Sequence, residues 1–574
     1  MKKRITAVVA AALAITAVGH TATAVKTYAP ADLADLSCFL LGNDKNGSQD
    51  VNNDDITDIF DMVAMRRTFN TRNGEFTDTV TAPTEDKVNW INRNAVQNDI
   101  TWLVQSGSAV EFNICSAKSA SVVINGDGSE KNGSEHRPRY AVIVDGEIIL
   151  DECLSVKEKE VELFSGDTPR NAVVKVIHLS EANNGAVGVS AIKTCSDAAA
   201  PVLPTPESSL HIEFVGDSIT CAYGVEGKDQ YEGFKTSTEN FMKSYAYLTA
   251  KKLNAEYSTA CYSGYGAVSS YSSDGNRKTE GLLGDHYNNV GAVNYKTPWS
   301  HDKHPVDVVV VNLGTNDNTY VSKDYETRGA EFTEEYLKLL KMIHKAQPDA
   351  KLVCTVGTMG CSEMYRYIED AVAAFKKELG GDAEIISYLS ATQDMNRDGL
   401  GSDWHPTAVT HEKSAAVLAD KICGLLGIES DQVGLDIASD AGYKAVFNKD
   451  AGSDGATFLS DYDKSFWVNI TTGGKESSDA EAVVSPLTLK KGGSYKLSFT
   501  LTAPKDMEIP VSVRSSDGKK LYLSEKMTSK GEKTPFEAEF TVDTDDADAE
   551  FAISFGGKNY TSVTLYELHI VKIA

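Results

Sequence analysis

Four short stretches of the chain carry residue types that acyl transfer uses. They are HIEFVGDSIT (211–220), CYSGYG (261–266), NLGTND (312–317) and GSDWHPT (401–407). A serine hydroxyl is a weak nucleophile, so a neighbouring base must take its proton. Histidine suits that task because its pKa lets it accept and return a proton near neutral pH. The stretches therefore predict Ser218 as the nucleophile and His405 as the base.

The same stretches contain candidate hydrogen-bond donors. The tetrahedral intermediate of acyl transfer carries an oxyanion, which fixed donors must stabilise. The candidates are the main-chain N–H groups of Ser218 and Gly264 and the side-chain amide of Asn316. Glycine at position 264 lets the loop approach a substrate closely, because no side chain stands in the way. The neighbouring carboxylates, Asp217 and Asp317, are expected to brace the turns.

The elements that must position these residues alternate between strand and helix from residue 208 to residue 430. The predicted strands are 212–215, 307–314, 351–357 and 384–389, and the clearest amphipathic helices are 333–346 and 364–381. Apolar strands joined by helical crossovers predict a parallel sheet in a three-layer α/β/α domain. Each stretch alone is also typical of a turn or a helix cap. Because the carboxyl ends of parallel strands share one crevice, their placement favours a common site.

The regions on either side of this domain have the period of β-strands. Residues 84–200 alternate between apolar and polar side chains, which predicts a jelly-roll β-sandwich, and a proline-rich linker follows at 198–209. Residues 433–574 predict a second β-sandwich, either a carbohydrate-binding module or a structural spacer. Its candidate aromatic platform consists of Tyr462, Trp467 and Tyr495.

The four stretches, in their order, resemble the blocks of the SGNH (GDSL-type) hydrolases. With TWLVQSGSAVEF (101–112) and RYAVIVDGE (139–147) ahead of them, residues 86–428 are most similar to carbohydrate esterase family 2, the acetylxylan esterase type. The resemblance implies removal of acetyl groups from plant-wall polysaccharides such as xylan and glucomannan. It implies a serine acetyl-enzyme and no cofactor for catalysis. The alternatives are another SGNH lipase or esterase, or a carbohydrate-binding protein with a vestigial esterase site.

The histidine block departs from the family pattern. Most SGNH enzymes have an aspartate three residues before the histidine, but here that position is Ser402, and Asp403 is only two residues away. A two-residue offset is expected to turn the Asp403 carboxylate away from Nδ1, which disfavours a Ser-His-Asp triad. The resemblance to the esterase family implies instead a Ser-His dyad in which a main-chain carbonyl orients His405; orientation by Asp403 is the alternative. Trp404 is either a core residue or a platform for sugar stacking, and Tyr265 is a weaker candidate for the platform role.

The N-terminus has the pattern of an export signal. A basic start, an apolar run and Ala-Thr-Ala at 22–24 predict a signal peptide over 1–24, with an uncleaved anchor as the alternative. We therefore expect a secreted protein, located outside the cell or on a cell-surface cellulosome.

Residues 25–75 resemble part of a dockerin, the module that attaches enzymes to the cohesins of a cellulosome scaffold. Oxygen-bearing side chains stand at positions 1, 3, 5, 9 and 12 of a possible Ca²⁺ loop. They belong to Asp50, Asn52, Asp54, Asp58 and Asp61. Position 6 is Asp55 rather than glycine, and only one of the two loops of a dockerin is present. The alternative is an acidic linker with a short helix.

The charge of the whole chain excludes some partners. Among its 574 residues, 56 are basic and 82 acidic, which gives a net charge of −26. That charge argues against nucleic acid or an anionic membrane as a partner but does not affect a neutral polysaccharide.

Overall fold

The computed structural model describes residues 75–380, 384–439, 441–460 and 465–574. The predicted signal peptide and nearly all of the dockerin-like segment lie outside these ranges. They remain predictions, as do the candidate calcium ligands Asp50, Asn52, Asp54, Asp58 and Asp61.

The N-terminal domain is built from ten antiparallel strands that form one hydrogen-bonded sheet. The strands are β1 Thr77–Thr81, β2 Asn89–Ile91, β3 Asn94–Gln97, β4 Ile100–Leu103, β5 Ala109–Gly126, β6 Arg139–Val144, β7 Glu147–Cys153, β8 Glu158–His178, β9 Val187–Ser196 and β10 Val202–Pro204. The pairing of β5 with β8 shifts register between Ile114 and Ser119, where bulges bend the long strands. The predicted β region is therefore present, and it begins earlier than predicted, at Thr77.

The central domain has five parallel strands in the order β12-β11-β13-β14-β15. The strands are β11 His211–Gly216, β12 Glu256–Cys261, β13 Val308–Asn312, β14 Lys351–Thr355 and β15 Ile385–Ser387. The helices are α1 Ser218–Cys221, α2 Tyr245–Lys252, α3 Asn318–Val321, α4 Tyr325–Ala346, α5 Tyr365–Leu379 and α6 Ala408–Leu426. None of the helices within the described ranges is long and apolar enough to cross a membrane.

Helices cover both faces of this sheet, as the apolar strands predict. Val309 and Val311 of β13 pack with α4 and α5, whereas Val308 and Val310 pack with α2 and α6. Successive side chains of β13 thus belong to two separate hydrophobic cores, one on each face of the sheet. The predicted parallel α/β/α arrangement is confirmed.

The C-terminal domain is a sandwich of two five-stranded antiparallel sheets, as predicted. Its strands are β16 Gly442–Phe447, β17 Asp454–Leu459, β18 Phe466–Thr472, β19 Ala480–Leu489, β20 Ser494–Thr502, β21 Glu508–Arg514, β22 Leu521–Thr528, β23 Thr534–Thr541, β24 Asp546–Ser554 and β25 Thr561–Lys572. Tyr495 is fully buried in the core, so its predicted role in an exposed platform is wrong. Trp467 is 43% exposed, and Tyr462 lies outside the described residues.

A buried ion pair joins the N-terminal domain to the central sheet. The Arg93 guanidinium donates to Glu213 Oε1 at 2.7 Å, and the Tyr287 hydroxyl donates to Glu213 Oε2 at 2.6 Å. Burial raises the pKa of Glu213, but Arg93, His301 and the Tyr287 hydroxyl together outweigh that effect and hold the pKa below its ordinary value. The two domains therefore share a charged contact away from water.

Candidate active site

Ser218 begins helix α1 directly after strand β11. Asp217 caps the helix, because its Oδ1 accepts a hydrogen bond from the Ile219 N–H at 3.0 Å. The strand ends in Gly216, where a Cβ atom would lie 2.1 Å from Thr220 Oγ1. Only glycine fits this turn without displacing the helix, so the local sequence places the serine at the carboxyl edge of the sheet.

Ser218 and His405 are in direct contact. Ser218 Oγ lies 2.8 Å from His405 Nε2, although the two residues are 187 positions apart in the chain. His405 Nδ1 lies 3.1 Å from the carbonyl oxygens of Ser402 and Asp403. Because a carbonyl can only accept, the proton belongs on Nδ1, and Nε2 is free to accept from the serine.

Burial also prepares His405 to act as a base. It lowers the pKa of His405 to about 4, although hydrogen bonds to the Ser402 and Asp403 carbonyls act in the opposite direction. The imidazole is therefore neutral near pH 7, which is the state that can take a proton from Ser218.

The carboxylate of Asp403 points elsewhere. Its Oδ2 accepts a hydrogen bond from the Tyr223 hydroxyl at 2.7 Å. Asp403 and Trp404 both have left-handed backbone angles, with φ of 49° and 68°. This conformation presents the Asp403 carbonyl, rather than its carboxylate, to His405. The alternative prediction, in which the Asp403 carboxylate orients the imidazole, disagrees with this geometry.

Tyr223 is a site residue that sequence reasoning missed. Its ring lies against His405 with the centroids 4.2 Å apart, and Phe234 stacks on it with the centroids 4.4 Å apart. Tyr223 therefore contacts both the imidazole and the carboxylate of Asp403. The sequence feature that could have identified Tyr223 is its position five residues after Ser218, in the segment GDSITCAYG.

Strand register brings the three predicted oxyanion donors to one edge of the sheet. Gly216, the last residue of β11, pairs with Cys261 at the end of β12 and with Asn312 at the end of β13. Ser218, Gly264 and Asn316 follow these three strand ends by two, three and four residues, as their positions in the chain give.

Two of these donors, Gly264 and Asn316, differ in what surrounds them. Gly264 has a φ of 82°, and a Cβ atom there would meet nothing within 4 Å, so the space beside its Cα is open. Asn316 Nδ2 lies 2.9 Å from the Tyr265 carbonyl and 3.2 Å from Asp217 Oδ2. The Asn316 amide therefore joins the glycine loop to the serine turn.

Asp317 braces the glycine loop, as the sequence indicated. Its carboxylate accepts from the N–H groups of Ala267, Val268 and Ser269 at 3.1, 2.7 and 3.0 Å. Burial raises the pKa of Asp317, and the three N–H groups oppose that shift. The carboxylate thus satisfies three main-chain donors in a buried loop.

The two aromatic candidates differ in exposure. Trp404 is 49% exposed, so the alternative prediction that it is a core residue is wrong. Tyr231, which is 80% exposed, meets the Trp404 ring edge-on at 6.1 Å. Tyr265 is half-buried against Tyr262, with the ring centroids 5.0 Å apart. Trp404 and Tyr231 thus form an exposed aromatic pair beside His405.

Comparison with protein families identifies two segments. Residues 214–413 match the model of the GDSL-like lipase/acylhydrolase family. This segment is a GDSL-like lipase/acylhydrolase domain. Residues 443–561, in the C-terminal sandwich, match the model of a carbohydrate binding domain.

Two curated proteins are similar to about half of this chain. The chain is 31% identical over 332 residues to the cellulase/esterase CelE of Acetivibrio thermocellus. The aligned region covers 56% of this chain and 37% of that protein. It is 25% identical over 298 residues to an acetylxylan esterase / glucomannan deacetylase of Cellvibrio japonicus, which covers 51% of this chain and 78% of that protein. The matched part thus spans little more than a third of the length of the first relative.

A solved structure has a similar fold over part of this chain. The family two carbohydrate esterase from Clostridium thermocellum, in complex with cellohexaose, superposes with a TM-score of 0.51 at 29% identity. The match covers 59% of this chain and 99% of that one.

Proposed function

We propose that the protein is a secreted carbohydrate O-acetyl esterase, which removes acetyl groups from plant cell-wall polysaccharides such as xylan and glucomannan. The observation that carries the proposal is the 2.8 Å contact between Ser218 Oγ and His405 Nε2 at the edge of the parallel sheet. The similarity to an acetylxylan esterase / glucomannan deacetylase supports the substrate class.

In the proposed reaction, Ser218 Oγ attacks the acetyl carbonyl while His405 Nε2 takes the hydroxyl proton. The N–H groups of Ser218 and Gly264 stabilise the oxyanion. The Asn316 amide joins them when it exchanges its 3.2 Å hydrogen bond to Asp217 Oδ2 for one to the oxyanion, because its two N–H groups otherwise donate to Asp217 and to the Tyr265 carbonyl. Collapse of the intermediate breaks the bond to the sugar oxygen, which receives the proton from His405. Water, activated by the same imidazole, then releases acetate and restores the serine hydroxyl.

The surroundings of the serine fit a bulky neutral substrate. The exposed pair of Trp404 and Tyr231 offers aromatic faces beside the imidazole, where the apolar face of a sugar ring can lie. A net charge of −26 does not disfavour a neutral polysaccharide. We assign Trp404 to substrate binding and Tyr265 mainly to support of Asn316, through its carbonyl.

The C-terminal domain has a suitable surface for a second carbohydrate contact. Phe458 of β17 and Trp467 of β18 are direct cross-strand partners, 64% and 43% exposed. Asn469 lies two residues along β18 from Trp467 and is exposed on the same face. Two adjacent aromatic rings beside an amide are suited to a sugar chain, so this face is the proposed polysaccharide-binding surface.

Export and attachment to a scaffold are proposals from the N-terminal sequence. Residues 1–24 support secretion, and residues 25–75 support a dockerin-like module that binds a cohesin. Five oxygen ligands, from Asp50, Asn52, Asp54, Asp58 and Asp61, support one structural Ca²⁺ in that module. A chelator that lowers the thermal midpoint of the isolated 25–75 segment, reversed by added Ca²⁺, would support the calcium loop.

The proposed activity is tested by acetate release from acetylated glucomannan and acetylated xylan. We expect the native protein to release acetate and the S218A variant to lose about 10⁴-fold or more of that rate. The ratio between the two polymers identifies the preferred substrate. If neither polymer is deacetylated but esters of longer acyl chains are hydrolysed, the protein is a different GDSL-type esterase and the carbohydrate assignment is wrong.

A further inference from the structure

Two buried carboxyl groups lie between the N-terminal and central domains, and the mechanism above uses neither. Glu181 belongs to the segment between β8 and β9 and is 4% exposed. Glu239, between α1 and α2, is fully buried. The Glu181 N–H donates to Glu239 Oε2 at 3.0 Å, so the two residues form one cluster across the domain boundary.

Glu181 reaches the loop that carries the glycine donor. Its Oε2 accepts a hydrogen bond from the Ser263 N–H at 2.8 Å, and Ser263 directly precedes Gly264. On the other side, the Gly264 carbonyl accepts from the Tyr271 N–H at 2.8 Å. The direction of the Gly264 N–H is therefore fixed from both sides. One of the two fixing groups comes from a different domain.

The main-chain segment that carries Glu181 is itself held in place by its neighbours. The carbonyl of Leu179 accepts from the Phe241 N–H at 3.0 Å, and the hydroxyl of Ser180 accepts from the Arg139 N–H at 2.9 Å. Arg139 also donates to the Glu239 carbonyl at 3.2 Å. These contacts lock the segment that carries Glu181 against the central domain.

The protonation of this cluster leaves the hydrogen bond to Ser263 intact. Burial raises the pKa of both carboxyl groups, and the charge of Glu181 raises that of Glu239 further. A carboxyl group accepts from an N–H through an oxygen in either protonation state. A neutral amide of the same length should therefore replace Glu181 in this contact.

We propose that Glu181 is a positioning residue for acetyl transfer, which holds the Ser263–Gly264 segment so that the Gly264 N–H meets the oxyanion. The inference rests on the proposed esterase activity and extends it, because it makes the N-terminal domain a part of the catalytic apparatus. Loss of the carboxyl oxygen would leave the Ser263 N–H without this acceptor and let the loop reorient.

The test compares E181A, E181D and E181Q in the full chain, with E226Q as the matched control. Glu226 also lies at this domain boundary, where it accepts from Arg139 at 2.6 Å and from Asn240 at 2.8 Å. We expect E181A and E181D to lower kcat on 4-nitrophenyl acetate by about 10²-fold with KM unchanged, because a misdirected donor costs transition-state stabilisation. E181Q should stay within about threefold of the native kcat, as should E226Q.

A second readout separates positioning from a structural role. A phosphonate ester that traps Ser218 as a tetrahedral adduct needs the same oxyanion donors, so its rate of inactivation should fall in parallel with kcat. Binding of xylo-oligosaccharide should not change in E181A or E181D.

Several results would overturn the inference. They are a native kcat in E181A and E181D, a change confined to KM, an equal loss in E226Q, or a loss in E181Q as large as in E181A. If E181A does not fold, the comparison of E181D with E181Q decides. The shorter Asp side chain in E181D should not reach the Ser263 N–H, whereas the Gln side chain in E181Q has the length of glutamate and keeps an oxygen that can accept from it. A native protein inactive on every ester would refute the proposed function and, with it, this inference. An active native protein with fully active E181A and E181D would refute the inference alone.

Discussion

Asp403 contacts His405 through its main-chain carbonyl, 3.1 Å from Nδ1, while its carboxylate accepts a hydrogen bond from Tyr223 at 2.7 Å. The backbone at Asp403 and Trp404 is left-handed, a conformation that few residues other than glycine, asparagine and aspartate adopt readily. The orienting group of the imidazole is therefore the peptide chain, and the side chain of Asp403 secures the turn.

The first prediction concerns this turn. Where an aspartate carboxylate orients a catalytic histidine, its conversion to asparagine lowers kcat by about 10⁴-fold. Here we expect D403N to stay within about tenfold of the native kcat, since asparagine tolerates the left-handed turn and the orienting carbonyl is unchanged. Steady-state kinetics on 4-nitrophenyl acetate measures the effect. A loss near 10⁴-fold would restore the carboxylate as the orienting group.

The second prediction concerns pH. The base must be neutral, so kcat/KM should fall as pH falls through the pKa of His405. Burial lowers that pKa to about 4, well below the ordinary value of 6.5. We expect the acidic limb of the kcat/KM profile to have its midpoint near pH 4 with a neutral ester substrate. A midpoint near 6.5 would show that His405 is solvated in the free enzyme.

Asp217 is the second group that titrates near the serine. Burial raises its pKa to about 7, although the Ile219 N–H opposes the shift and Asp317 adds to it. The D217N variant keeps an oxygen for the helix cap but cannot ionise. A limb near pH 7 that is lost in D217N therefore belongs to Asp217, and the limb assigned to His405 should remain.

The third prediction concerns the oxyanion. Removal of one side-chain donor from such a site typically lowers kcat by about 10²- to 10³-fold. We expect N316A to show a loss of this size with little change in KM. N318A is the matched control, because Asn318 lies two residues away and contacts Cys361 and Tyr325 instead. An unchanged kcat in N316A would remove Asn316 from the list of donors.

The fourth prediction concerns the ion pair between domains. In R93A the Glu213 carboxylate would stay buried without its cation, and loss of one partner of a buried pair costs about 3–5 kcal/mol. Chemical unfolding followed by tryptophan fluorescence measures the change. The exposed pair of Lys338 and Glu334, at 2.8 Å, is the comparison, since such pairs contribute about 1 kcal/mol or less. Equal effects of R93A and K338A would contradict this account.

The fifth prediction concerns the C-terminal domain. We expect W467A to weaken adsorption to insoluble polysaccharide about tenfold or more, because a central aromatic side chain commonly carries much of the binding energy. Y560A is the control, since Tyr560 is 87% exposed but lies before strand β25 rather than beside Trp467. Hydrolysis of 4-nitrophenyl acetate should be unchanged in both variants. Native adsorption by W467A would exclude this face as the binding surface.

The register of the parallel strands explains why most of the candidate catalytic residues could be predicted from the sequence. Ser218, Gly264 and Asn316 each follow a strand by a few residues, and parallel register then brings them together without any further information. The α/β/α layers were predictable for the same reason, because the strand β13 is apolar on both faces.

The remaining features depend on contacts between distant segments. The left-handed backbone at Asp403 and Trp404 turns the Asp403 carboxylate away from His405, and the two-residue spacing between Asp403 and His405 does not reveal this. Phe234 contacts Tyr223 from a loop whose sequence has no regular pattern. Glu181 comes from another domain. Strand β20 alternates between two faces, and the sequence pattern alone did not show that Tyr495 belongs to the buried one. The structure places its side chain in the core.

The central claim is that Ser218 forms an acetyl-enzyme with His405 as its base. The most direct measurement is to quench the reaction of the native protein with 4-nitrophenyl acetate during turnover and analyse its peptides by mass spectrometry. The account predicts an acetyl group on Ser218 that decays as acetate is released and that is missing in S218A. Acetate release from the native protein with no acetyl group on Ser218 at any time, or equal rates in the native protein and S218A, would contradict it.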